Sequence, residues 1–268
     1  MSLLVLMCAC HKEAEMETRQ YTASEVIYPT TDKLDSMIVE IDMEILTKLP
    51  VDSVLAPIQE NILEQIYGKH FATMDPEKAM WEYIRMNQEE YQATNKENLT
   101  FQVEANIVPS EDDEMDIRYT FSEEIYISAR IMEQVDNILA YSVEQYVYMG
   151  GAHGINTRYF YNYDLNNGTL IEEETLFVDD YQTQLTSLLR RNLVEQSEAL
   201  HSEADLIQSD YQQDNIIPNN NFCIQSDGMS WHFNPYDIAP YAYGETDIFV
   251  SSVDLQPLLK EGITLWNK

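Results

Sequence analysis

The sequence is short of cations, cysteine, paired histidines and long apolar runs, and each shortage closes off a class of protein. Fifteen Lys and Arg stand against 47 Asp and Glu, a formal net charge of −32. Such a field repels phosphate backbones and anionic lipid head groups, so nucleic acid is excluded as a partner and basic proteins or cations are favoured. The cysteines lie at positions 8, 10 and 223, which leaves Cys223 without a mate in the body of the chain and excludes a disulfide scaffold. No apolar run reaches the roughly 20 residues needed to span a bilayer. The histidines, at 11, 70, 153, 201 and 232, never fall in H-x-x-x-H or H-E-x-x-H spacing, and neither C-x-x-C nor G-x-S-x-G occurs. No metal site, cofactor or serine-hydrolase centre is therefore expected.

What is present suits a folded chain outside the cytoplasm. With 268 residues, 44% of them hydrophobic and 18 tyrosines, one large domain or two intimate subdomains can bury a sizeable core. The opening "MSLLVLMCAC" reads as the end of a secretory signal. Ala9 supplies the small residue before a cleavage site, which makes Cys10 the candidate for lipidation. Residues 11–33 are polar, carry "YPTTD" and lack periodicity, so a flexible tether is expected there. A lipid on Cys10 would then hold the body on the extracytoplasmic side of a membrane, in the cell envelope.

From Met37 the apolar residues alternate (Met37, Val39, Ile41, Met43, Ile45), which predicts a half-buried strand. Val54, Leu55, Ile58, Ile62, Leu63, Ile66 and Tyr67 then recur at helical spacing and stop at Gly68. "DPEKAMWEYI" opens a second helix, capped by Asp75 with Pro76 at its first position and running to about Tyr91. Strands are expected over Leu99–Ile107 and Ile117–Phe121, joined by an acidic turn at 109–116. Further strands are expected over Ile125–Ile131 after a kink at Glu123 and Glu124, and in "NILAYSVEQYVYM" and "NTRYFYNYDL", the last closed by the turn "DLNNGTL". A helix capped by Asp179 or Asp180, a hairpin turning at Asp227-Gly228, and a strand leading into a short helix complete the chain. The expected class is α+β: an antiparallel meander sheet covered by helices, in two packed subdomains at 34–165 and 166–268.

Half of the eight glycines fall in "YVYMGGAHGINTRYFYNYDLNNG". His153 in that loop has no neighbouring nucleophile, so the loop is expected to use its glycines for positive φ and close backbone approach where the subdomains join. Tyrosine is both a good strand residue and a good contact residue. The candidate binding residues are Tyr148, His153, Tyr159, Tyr161, Trp231, His232, Tyr236, Tyr241 and Tyr243.

The segments "YMGGAHGINTRYFYNYDLNNGTLIEEETLF" and "FCIQSDGMSWHFNPYDIAPYAYGETDIFVSSVDL", with the helix between them, resemble the extracytoplasmic domain of the RsiV/PdaC type. The resemblance implies an α+β fold outside the membrane. In RsiV that domain belongs to an anti-sigma factor and binds lysozyme; in PdaC it precedes a polysaccharide deacetylase domain. For this chain it implies a lipid-anchored envelope protein that binds a basic lysozyme-like protein or a peptidoglycan fragment. The alternative is a wall hydrolase using a carboxylate pair.

Overall fold

The computed structural model describes residues 16–29, 35–104 and 121–266. Cys10, the residue expected to carry a lipid, lies outside them.

A six-stranded sheet in the order β1-β2-β3-β4-β5-β6 forms the first half. Its strands are β1 (Glu17–Ile27), β2 (Met37–Lys48), β3 (Glu123–Val135), β4 (Ile138–Tyr148), β5 (Ile155–Asp164) and the short β6 (Leu170–Ile171). Between β2 and β3 run helices α1 (Asp52–Tyr67) and α2 (Pro76–Glu104). Both cover one face, where Val39, Ile41, Met43 and Ile45 meet Ile58, Ile62 and Ile84 in a common core. Asp75 caps α2 as expected, its Oδ1 accepting the backbone N–H groups of Glu77 and Lys78 at 3.1 and 3.2 Å.

The mixed α+β class holds, with four departures from the expectations. First, β1 occupies about half of the expected tether. It pairs antiparallel with β2 along its length, but as an edge strand it turns only Tyr21 and Ile27 fully inward, so its sequence carries almost no alternation. Second, β2 and β3 pair parallel, because the two helices carry the chain back to the same end of the sheet and make a crossover. Third, residues 99–104 extend α2 where a strand was expected: lengthening a formed helix by a turn is cheap, and a few alternating residues do not outweigh it. Residues 105–120, with the acidic turn and the rest of that expected hairpin, lie outside the described set. Fourth, β3 starts at Glu123, so Glu123 and Glu124 are paired strand residues, and its irregularity falls at Ile131/Glu133.

The second half holds the sheet β7-β8-β9 (Phe222–Gln225, Gly228–Phe233, Thr246–Ser251) and helix α3 (Tyr181–Gln196). The β7–β8 turn is Ser226–Asp227, one residue earlier than the Asp-Gly pair suggests, since Gln225 pairs with Gly228. Asp180 precedes α3 in a left-handed conformation (φ 63°), and its side chain caps nothing. On one side of the small sheet, Leu185, Leu189 and Leu193 of α3 join Trp231, Ile248 and Val250 in a second core. The other side packs on the back of β4 and β5 through Ala140, Phe160 and Cys223. The small sheet covers only part of that back face, and among the described residues nothing packs over the stretch of β1, β2 and β3 beside it.

Candidate functional site

The open stretch is strongly acidic. Alternation that sends Ile41 and Met43 to the helices sends Glu40, Asp42 and Glu44 outward on β2. Beside them β3 presents Tyr126 and Arg130, and β4 presents Glu144 and Tyr146. Tyr126 and Tyr146 are directly opposed and their rings lie 5.7 Å apart. Arg130 is held by Asp42. A shallow groove of about 410 Å³ runs over this patch and ends at Asn156.

Asn156 also borders a second groove, beside an aromatic tip. The tip joins the β4–β5 turn to the loop 235–245. Gly150 and Gly151 turn that hairpin with φ of 84° and 95°, a region that disfavours other residues. A Cβ on Gly154 would stand 2.4 Å from Tyr146 Cζ, so glycine there lets the tyrosine lie against the backbone. The glycine cluster thus makes a hairpin tip within the large sheet, not a passage between halves. His153 does reach the second half, by stacking: its ring lies 3.9 Å from that of Tyr241 at 15°. Tyr241 Oη donates to Gly154 O at 3.0 Å, and Tyr236 packs 5.5 Å from Tyr241. Met149, Ile155, Tyr236 and Tyr243 are exposed around them.

The nine candidate residues therefore separate. Tyr148, His153, Tyr236, Tyr241 and Tyr243 gather at the tip, with Tyr148 bracing the turn through Gly151 O at 3.0 Å. Tyr159 and Tyr161 point to the other face of the sheet, and burial pushes the Tyr161 hydroxyl up to about 12. Trp231 and His232 are wholly buried, so neither is a contact residue. Trp231 donates to Glu173 Oε1 at 2.7 Å. Glu173 is itself buried and also accepts from Tyr181 Oη and Asn220 N, both at 3.0 Å. Its burial holds its carboxyl above the usual range.

Beneath the tip lies a charge cluster. Arg158 on β5 stands 3.4 Å from Glu144, 3.3 Å from Glu245 and 3.8 Å from Asp247, linking the large sheet to the small one. His232 Nδ1 lies 2.7 Å from Asp247 Oδ1, and Nε2 lies 3.4 Å from Glu245 Oε2 without hydrogen-bond geometry. Asn221 and Asn234 complete the junction: their side-chain oxygens accept from Phe160 N (2.8 Å) and Arg158 N (2.6 Å), where β6 is too short to pair. The sequence signalled neither Arg158 nor these asparagines, because their partners sit some 60 to 87 residues away. Cys223 is a packed thiol, pushed up to about 12 by burial. Among the described residues no cluster of His, Cys, Asp and Glu is arranged to hold a metal, and no helix is long and apolar enough to cross a membrane.

Two crystal structures share the fold. A member of the DUF3298 family from Bacteroides fragilis superposes with a TM-score of 0.81 at 23% identity, covering 93% of this chain and 95% of that one. A DUF3298 family protein from Pseudomonas aeruginosa gives 0.59 at 16% identity, covering 96% and 99%. Peptidoglycan-N-acetylmuramic acid deacetylase PdaC of Bacillus subtilis is 24% identical over 140 residues, which are 52% of this chain and 30% of that protein. The match thus spans less than a third of the curated relative. Residues 174–252, the stretch from the single turn at Glu173–Leu176 through α3 and all three strands of the small sheet, match the family described as "Protein of unknown function (DUF3298)", under a third of the chain.

Proposed function

We propose that the protein is a lipid-anchored recognition protein of the cell envelope that binds a basic extracellular macromolecule through the open acidic face and the aromatic tip. One observation carries this reading: Glu40, Asp42, Glu44 and Glu144 line a single uncovered sheet face around the Tyr126–Tyr146 pair, next to exposed Tyr236 and Tyr243. Charge of one sign steers a basic partner, and rigid aromatic side chains supply contact area at low entropic cost. The relationship to a peptidoglycan deacetylase supports an extracytoplasmic setting. A lysozyme-like wall hydrolase is the favoured partner, and a peptidoglycan fragment is the second ligand to try.

The test is titration of the protein with a basic lysozyme at about 50 and about 500 mM salt, where surface electrostatics differ most. Affinity should fall steeply with salt, and again when Asp42 and Glu144 are replaced by Lys. Binding that ignores both changes, or turnover of peptidoglycan by the protein alone, would rule the reading out.

A further inference from the structure

The groove beside the aromatic tip has a charge imbalance that its own residues leave open. Among the described residues, Glu144, Glu245 and Asp247 share one arginine, Arg158. Behind them, fully buried His232 is set between two of the three carboxylates: Asp247 faces Nδ1 and Glu245 faces Nε2. The edge of the ring packs on Phe160, and the backbone N–H of His232 donates to Asn221 O. Arg158 from β5 and Glu144 from β4 complete the charged groups at this junction.

A neutral imidazole has one N–H. If Nδ1 donates it to Asp247, the Nε2 lone pair faces a carboxylate, and Glu245 keeps its charge directed to the groove. A proton on Nε2 makes that nitrogen a donor and engages Glu245 from behind. In front lies a groove of about 420 Å³ between Asn156, Pro235, Tyr241, Tyr243 and Glu245. A carboxylate on one wall and aromatic rings on another suit an ammonium or guanidinium group.

We propose that this groove takes a lysine or arginine side chain of the partner, with Glu245 as counter-ion, and that a proton on His232 competes with that cation. The proposal rests on the reading of the surface as one for basic partners, and adds the contact point and its pH dependence. Because proton and cation share Glu245, cation affinity is higher where the imidazole is neutral and lower where it carries a second proton.

The test is calorimetric titration of the whole protein with tetra-arginine amide at about pH 5.5 and about pH 8. Wild type is compared with E245Q, H232Q and, as a control on the exposed side of α1, E60Q. E245Q should lose about tenfold in affinity at the higher pH, as expected for a charge-assisted contact, and E60Q much less. The gain with pH should vanish in E245Q and H232Q. Equal losses in E245Q and E60Q, or a pH dependence that survives in H232Q, would overturn the proposal. Should H232Q fold poorly, ring-nitrogen NMR of wild type decides: peptide added at the lower of the two pH values should move the Nε2 signal toward the unprotonated form, and an unmoved signal overturns the idea. Peptide binding through Glu245 with no response to any basic protein would instead sink the functional reading and leave the subsite standing.

Discussion

Arg158 and Arg85 are both arginines among carboxylates, yet their contexts predict different costs of removal. Arg85 sits on the exposed side of α2 with Glu82 and Glu89 one turn away, where water screens the pairs and leaves them little weight. Arg158 is three-quarters buried and bridges Glu144, Glu245 and Asp247. Arg158→Met should cost about 2–4 kcal/mol in urea unfolding, because three carboxylates remain beside buried His232 with nothing to balance them. Arg85→Met should cost a small fraction of that. Glu173 allows a sharper test. Its carboxyl holds a proton more tightly in the folded state than in the unfolded one, chiefly through burial. Its contribution is therefore fully present below the unfolded pKa, near 4.3, and is lost as pH rises through the raised folded value. Compared with Glu173→Gln, wild type should lose more stability on going from acid to neutral pH. The opposite order would mean that the hydrogen bonds from Trp231, Tyr181 and Asn220 outweigh burial.

Two elements carry predictions of their own. Asp75→Ala removes the acceptor for the first N–H groups of α2 and should cost about 1 kcal/mol, read as a lower urea midpoint at unchanged slope. β1 carries a larger one. Its sequence looks like a spacer, but Tyr21 and Ile27 are buried in the first core and its backbone closes the edge of β2. A chain starting at residue 31 should therefore melt well below one starting at residue 16 and should aggregate through the bared edge of β2. Equal melting of the two would return residues 17–27 to the role of a tether. Elements were legible where burial is one-sided and regular, as in β2, α1 and β5. β1 was not, because at an edge few side chains are buried and the pattern thins out; the end of α2 was not, because its short alternating run also reads as a strand.

At the scale of the molecule, net charge dominates. A formal −32 on 268 residues means self-repulsion in the compact state. Salt should therefore raise the melting temperature while weakening any basic partner, two opposite responses from one screened field. A melting temperature that falls with moderate salt would show that local ion pairs such as Arg158 with Glu245 outweigh the global term.

The sequence by itself determined the charge, the absence of paired metal ligands, the α+β class and most of the tyrosines that reach the tip, since these depend on composition or on residues near one another in the chain. It also marked the glycine cluster as a special backbone site, though not as a hairpin tip. The tertiary structure alone decided that β2 and β3 run parallel, that Trp231 and His232 are interior, and that one back-face stretch stays uncovered. It alone brought Arg158, His232, Glu245 and Asp247 together. These depend on how two sheets stack, and contacts between layers leave no period in a sequence for periodicity to reveal.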